Sequence, residues 1–267
     1  MNIPVDLYNS AYGNYELDLY RQIRIETYGE DFGQTSWVTT EESNEIPSLL
    51  KLTSDSTVLE VGCGSGGYAV HLAASVGCRI QGLDINPLGI KNARDLAREQ
   101  KLGALAQFEE CDLSTPWPVQ DTQLDAVFAN DVLCHIPGRL HVLEEMYRVL
   151  KPGGRMLFSD ALLIGGMVSH EEIATRSTIG YYVFSPPGEN ERLIAAAGFH
   201  LLSASDTSQA AAAIAERWHN ARSKRREDLV QAEGEDGFAG LQRFLSCVQT
   251  LTSQRRLLRR VYLAEKN

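Results

Sequence analysis

The chain has 267 residues, 43% of them hydrophobic, which is enough for one large domain or a core with an added lobe. A formal charge of −10 and a pI near 5.1 argue against a nucleic-acid partner, whose affinity would rest on a basic surface meeting phosphates. Five cysteines without C-x-x-C spacing argue against a disulfide framework or a zinc site, and no apolar run approaches the roughly 18 residues of a membrane span. No basic-then-apolar signal pattern opens the chain, so a cytoplasmic protein is expected, with no metal because His71, His141, His170 and His200 lack ligand spacing. The basic cluster Arg222–Arg226, surrounded by Glu227, Asp228 and Glu233, reads as a solvated helix face rather than a phosphate-binding patch.

Tyr8, Tyr12 and Tyr15, spaced by four and three, predict one face of an N-terminal helix. Thr57–Val61 then reads as a buried strand carrying Glu60, and Gly62, Gly64, Gly66 and Gly67 form a loop leading into a helix over Gly66–Val76. Strand–glycine loop–helix brings backbone close to a nucleotide-like ligand. Arg79–Asp84 is a second strand ending on an acid. Asn86 is placed to cap a helix over Pro87–Gln100, and Ala104–Glu110 is a third strand followed by Asp112. Leu124–Ala129 is a strand, and Arg139–Leu150 a helix stopped by Lys151-Pro152-Gly153-Gly154. Arg155–Ser159 is the next strand.

Beyond Asp160 the pattern loosens: a mixed stretch over Leu162–Ser185, a helix over Pro187–Ala197 and a strand over Phe199–Ala204. A long helical stretch over Ser208–Gln231 is broken at Gly234–Gly237 and resumes over Phe238–Thr250, before a last strand at Arg259–Glu265. Alternating helices and strands predict an α/β fold, a doubly wound, mostly parallel sheet. The expected organisation is an N-terminal helical lid over residues 1–45, a core over 46–207 and 255–267, and a helical insertion over 208–254. Glu60, Asp84, Asp112 and Asn130 all fall at or just after strand carboxyl ends, where such sheets bind ligands.

The glycine loop alone fits either NAD or S-adenosylmethionine, since Gly62, Gly64 and Gly67 match G-x-G-x-x-G. Glu60 favours the second: an acid there repels a pyrophosphate but attracts an ammonium and a sulfonium. Glu60–Gly66, Gly82–Ile85, Cys111–Leu113, Asn130–Ile136 and Leu150–Gly154, in that order, resemble the motif series of class I S-adenosylmethionine-dependent methyltransferases over roughly residues 55–160. The resemblance implies a Rossmann-like, seven-stranded sheet with an antiparallel last strand. It implies that Gly62 and Gly64 hold the methionine portion, Asp84 and Ile85 the ribose and adenine edge, Asp112 and Leu113 the adenine, and Asn130 the region of the sulfonium, with Gly66 also among the cofactor-binding residues.

More loosely, the flanks are similar to small-molecule methyltransferases acting on amines or on quinone and tocopherol rings. The cue is Gly29–Trp37, in which Gln34, Ser36 and Trp37 would cover the methionine end. The implied reaction is in-line methyl transfer to a small-molecule acceptor, an amine nitrogen or a ring carbon or oxygen. The alternatives are a non-catalytic S-adenosylmethionine-binding regulatory or assembly protein and an NAD-dependent oxidoreductase. His135 is the candidate base and Tyr12 the candidate hydroxyl near the acceptor, while Tyr181, Tyr182 and Phe184 are pocket candidates. His219 and Trp218 read as packing residues. The helical insertion leaves room for a homodimer.

Overall fold

Val58, Leu59 and Val61 have no measurable exposure because β1 (Thr57–Val61) lies near the middle of a seven-stranded sheet in the computed structural model, which describes residues 5–267. Three helices precede it, α1 (Leu7–Gly13), α2 (Asp18–Tyr28) and α3 (Thr40–Leu49). Then follow α4 (Gly67–Val76), β2 (Arg79–Asp84), α5 (Pro87–Glu99), β3 (Ala106–Glu110) and β4 (Leu124–Asn130). Asn86 caps α5 as its sequence position suggests, its side-chain oxygen accepting from the amides of Leu88 and Gly89. The second half contains α6 (Arg139–Val149), β5 (Leu150–Ile164), α7 (His170–Arg176), α8 (Glu189–Ala196) and β6 (Phe199–Asp206). It closes with α9 (Ser208–Ser223), α10 (Arg226–Ser253) and β7 (Leu257–Lys266).

The strand order is β3-β2-β1-β4-β5-β7-β6; β7 runs antiparallel to both neighbours, and the pairs from β3 through β5 are parallel. The α/β, Rossmann-like class and the antiparallel last strand are as expected. The pleat puts successive side chains on opposite faces. Leu59 and Val61 therefore join one core with Leu143, Met146 and Ile194, while Val58 joins the other with Ala69, Leu72 and Ile90.

Four differences from the sequence reading have local causes. β5 begins at Leu150, well before the expected Arg155, because Leu150 pairs with Leu124 and the Lys151–Gly154 residues are taken up in a register shift before Ala126 meets Arg155. It also continues past Ser159 as far as Ile164, paired with Leu257 of β7. Gly234 is a kink inside α10 (φ 78°, ψ 162°), and the separation between the two long helices lies at Lys224–Arg225 instead. α1 ends at Gly13, so Tyr15 leaves the face shared by Tyr8 and Tyr12 and instead sits under the Arg24 guanidinium, 4.9 Å from its ring centre. Arg222 is not on a solvated face: it is buried and paired with Glu233 at 2.6 Å.

α9 and α10 occupy the stretch between β6 and β7 and pack on the N-terminal helices, with Trp218 and Phe244 against Trp37, and Trp218 against Tyr28. α3 crosses residue 45, and its Ile46 packs in the core beside Ala69 and Val70, so its second half is part of the sheet layer. Among the described residues, no helix is long and apolar enough to cross a membrane.

Candidate active site

The chain leaves β1 toward β2 and β3 on one side and returns through β4 on the other, so the crevice at the carboxyl ends of β1 and β4 is a topological switch point. A cavity of about 590 Å³ opens there, within the roughly 300–1,000 Å³ of small-molecule sites.

Two glycines set its floor. Gly62 has φ +71°, and a Cβ there would fall 2.4 Å from Val132 Cγ2; Gly64 has φ +53°, and a Cβ would meet the Tyr12 hydroxyl at 2.8 Å. Left-handed backbone and this crowding admit only glycine without strain. The loop is pinned from β2: the Leu83 carbonyl accepts from the amides of Gly62 and Cys63, and Asp84 Oδ2 accepts from the Gly64 amide at 2.8 Å. Asp84 Oδ1 accepts from the Asn86 amide, so the carboxylate fixes both turns that border the cavity.

Glu60 shares the face of Val58 and so points under the amino end of α4. It is 5% exposed, and its Oε2 has no hydrogen-bond partner among the described residues. Burial, and then the neighbouring Asp84 charge, push its carboxyl well above the usual range, although the Ala69 amide opposes the shift. A buried carboxyl with one oxygen left unpartnered fits a cationic group on a ligand. Asp112 and Ile85 stand at the exposed rim, with Ile85 62% exposed and Asp112 held below its usual pKa by hydrogen bonds from Ser114. Leu113 and Asn130 also line the cavity.

The comparisons agree with this geometry. Residues 59–158 match the family described as a methyltransferase domain. Over that stretch the chain resembles the class I S-adenosylmethionine-dependent methyltransferases. It is 28% identical over 169 residues to 27-O-demethylrifamycin SV methyltransferase of Amycolatopsis mediterranei, covering 60% of this chain and 61% of that protein. The chain thus spans about three fifths of the length of the first curated relatives it matches. The fold is also that of Haemonchus contortus phosphoethanolamine N-methyltransferase 2 solved with S-adenosyl-L-methionine (TM-score 0.79, 18% identity, covering 96% of this chain and 60% of that one). It is shared as well by the [4+2]-cyclase SpnF (TM-score 0.74, 20% identity, covering 100% of this chain and 99% of that one). A methyltransferase fold is therefore no guarantee of one chemistry, and the site must carry the functional argument.

Of the catalytic and cofactor-binding candidates read from the sequence, all but Gly66 line this cavity, and of the pocket candidates Tyr181 and Tyr182 do while Phe184 packs against the cluster of Leu162 and Leu257. Gly66 instead packs behind the cavity, where a Cβ would lie 2.5 Å from the Ala93 methyl and 2.9 Å from the Phe108 ring. Gln34 borders the cavity, but its amide is engaged in its own turn, Oε1 accepting from the Phe32 amide and Nε2 donating to the Glu30 carbonyl. The Ser36 carbonyl accepts from the Tyr28 hydroxyl, and Trp37 is buried in the layer between sheet and helical insertion.

At the other end of the cavity His135 follows β4 on a short 3-10 turn (Leu133–His135). Its Nδ1 lies 3.2 Å from the Tyr181 carbonyl, which can only accept, so Nε2 is left to accept from the Tyr8 hydroxyl at 2.9 Å. Burial and then the Arg176 charge lower His135 from 6.5 to about 4, so the imidazole is neutral. Tyr8, not Tyr12, is thus the tyrosine that meets His135. Tyr12 stands over Gly64 at the loop end, where burial and the Asp84 charge raise its hydroxyl pKa.

Two residues here were not identified from sequence. Asp131, just past β4, is buried in left-handed backbone (φ 59°), a strained conformation for a non-glycine residue. Its carboxylate accepts from the Trp37 amide, the Ser159 hydroxyl and Arg259 Nε, and Arg259 also pairs with Glu42 at 2.9 Å. This network ties the β4 turn, the Trp37 segment, α3 and β7 together. Arg176, the last residue of α7, reaches the cavity from the helix that the Ser169–Glu172 capping box starts, within the stretch Leu162–Ser185 whose sequence pattern was mixed.

Proposed function

We propose that this chain transfers a methyl group from S-adenosylmethionine to a small-molecule acceptor. The observation that carries the reading is the pair of carboxylates at the glycine loop, one of them with an oxygen left unpartnered, in a cavity at the switch point of a methyltransferase fold. When bound, the donor supplies a methyl carbon activated by a sulfonium, so the protein has mainly to align the two reactants and exclude water.

In this reading the Gly62–Gly64 backbone admits the methionine portion closely, and Glu60 takes its ammonium. Asp84 uses its remaining lone pairs to accept from ribose hydroxyls, while Ile85, Asp112 and Leu113 border the adenine at the rim. Asn130 lies near the sulfonium, and Gln34, Ser36 and Trp37 close the methionine end. α1 acts as a lid whose Tyr12 covers the loop and whose Tyr8 reaches His135. His135 Nε2 meets an acceptor group only by exchanging the Tyr8 hydroxyl for it, or acts on it through that hydroxyl. At a pKa of about 4 it is a weak base and suits orientation, or removal of a proton already loosened, more than deprotonation of an amine.

Isothermal titration with S-adenosylhomocysteine should give one site per chain, and absence of binding would sink the reading. Release of S-adenosylhomocysteine from the S-adenosylmethionine-loaded protein in cell extract should separate an enzyme from a binding protein.

A further inference from the structure

Buried guanidinium groups in this protein follow a rule with one exception. Arg24 pairs with Asp31 at 2.6 Å, Arg139 with Asp160 at 2.5 Å, Arg222 with Glu233 at 2.6 Å, and Arg259 with Asp131 and Glu42, both at 2.9 Å. Arg176 is 1% exposed and makes no ion pair among the described residues, and its Nη1 has no hydrogen-bond partner. Its guanidinium lies among rings, 4.6 Å from the centre of Tyr182, 5.0 Å from Phe244 and 5.7 Å from Trp37. The polar groups that act on it most strongly are Tyr182, Cys134 and Tyr8, none of them a carboxylate.

Aromatic faces offset only part of the cost of burying a charge, whereas a carboxylate or phosphate meets the planar fork of donors directly. Arg176 lines the same cavity as Glu60 but at the end occupied by His135 and Tyr182, away from the glycine loop. The donor's own negative group, the methionine carboxylate, belongs with its ammonium beside Glu60. The unmatched positive charge at the far end is thus left for the other reactant.

We propose that the methyl acceptor is an anion, a carboxylate or a phosphate monoester, whose charged group is bound by Arg176 with the Tyr182 hydroxyl beside it. The acceptor's reacting atom then points back along His135 toward Asn130. This inference rests on the methyl-transfer reading and names the substrate class of that site. It also explains the aromatic character of the pocket: rings stiffen and desolvate the guanidinium, so the anion is met by a dry, preorganised fork.

The test uses the full chain saturated with S-adenosylhomocysteine and three probes of similar shape: benzoate, phenyl phosphate and the neutral benzamide. At least one anion should bind at one site per chain and raise the melting temperature, while benzamide does neither. Benzoate and phenyl phosphate distinguish the two sources of charge. In Arg176→Met the anion affinity should fall about tenfold or more, with S-adenosylhomocysteine affinity within about twofold of wild type. Arg176→Lys should recover part of the loss.

Failure of S-adenosylhomocysteine to bind would strike the methyl-transfer reading. Normal S-adenosylhomocysteine binding with no preference for either anion over benzamide would overturn the anionic acceptor alone. So would equal anion affinity in wild type and Arg176→Met. If Arg176→Met does not fold, the comparison of anion with neutral probe on wild type still decides.

Discussion

The two ends of the cavity are built from different material. The loop end is made of strand termini and glycine backbone, and its side chains are acids: Glu60, Asp84 and, at the rim, Asp112. The opposite end is made of side chains brought from α1, the turn after β4, α7 and the segment beyond it, and its charge is Arg176. Each end holds one buried polar atom without a partner, Glu60 Oε2 and Arg176 Nη1, of opposite sign. The other buried arginines pair with carboxylates and Lys266 is held by the Tyr147 and Leu150 carbonyls, although single atoms of Arg139, Glu191 and Arg260 also lack a partner among the described residues. On the proposed reading the two ends offer unsatisfied groups of opposite sign to ligands, to a cation at one end and to an anion at the other.

The sharpest way to break the distinction is at the residue standing between the ends. Asp131→Ala leaves Arg259 buried with Glu42 alone and removes the anchor of the Trp37 segment, so we expect about 3–5 kcal/mol of lost stability. Denaturant unfolding checks this, and a loss below about 1 kcal/mol would mean that the network is not a structural support. Glu60→Gln should act oppositely on stability and binding. Because its folded-state pKa is raised, ionised Glu60 weakens the free protein as pH rises through that value, so the amide should raise the melting temperature at neutral pH. S-adenosylhomocysteine affinity should fall, by roughly 1.5–3 kcal/mol for a charged hydrogen bond, and calorimetry in buffers of different ionisation heat should no longer report proton release. Asp84→Ala should cost a similar or slightly smaller amount of affinity, since the same carboxylate also holds the Gly64 and Asn86 amides.

The same division governs what could be read from the sequence. Strand, glycine loop and acid follow one another within a few residues, so Glu60, Gly62, Gly64, Asp84 and Asp112 could be placed together at strand carboxyl ends, where the structure brings them to one cavity, and the sheet was legible with them. Asn86 as a cap and Pro87 at the helix start are equally local signals. Arg176 was not legible: its environment comes from Trp37, Tyr182 and Phe244, which lie 139 residues before, 6 after and 68 after it in the chain (176 − 37, 182 − 176 and 244 − 176). Asp131 stood inside a recognised motif, yet its role depends on Arg259, 128 residues away. Gly66 was misassigned because loop glycines look alike in sequence, and only the positions of Ala93 and Phe108 show that it faces the core. Tyr15 fell off the expected face because a three-and-four spacing says nothing about where a short helix stops.

A smaller effect probes how the two ends communicate. His135 is held neutral first by burial and then by Arg176, its pKa lowered from 6.5 to about 4. The unfolded chain therefore binds a proton that the folded one refuses as pH falls below about 6.5. This stability is fully present above that value and is lost progressively toward pH 4. His135→Gln lacks the refused proton, so wild type should lose about 1–2 kcal/mol more than the variant between pH 7 and 4.5. Parallel pH dependences would show that the imidazole is not held neutral. Adding Arg176→Met to the wild-type background should make the wild-type loss smaller and end it at a higher pH, with its onset near 6.5 unchanged, because one of the two causes of the lowered pKa has been removed. A bound anion at Arg176 should do the same without any substitution, since it screens the guanidinium from the ring. The pH profile of stability thereby becomes a readout of occupancy at the acceptor end, independent of turnover.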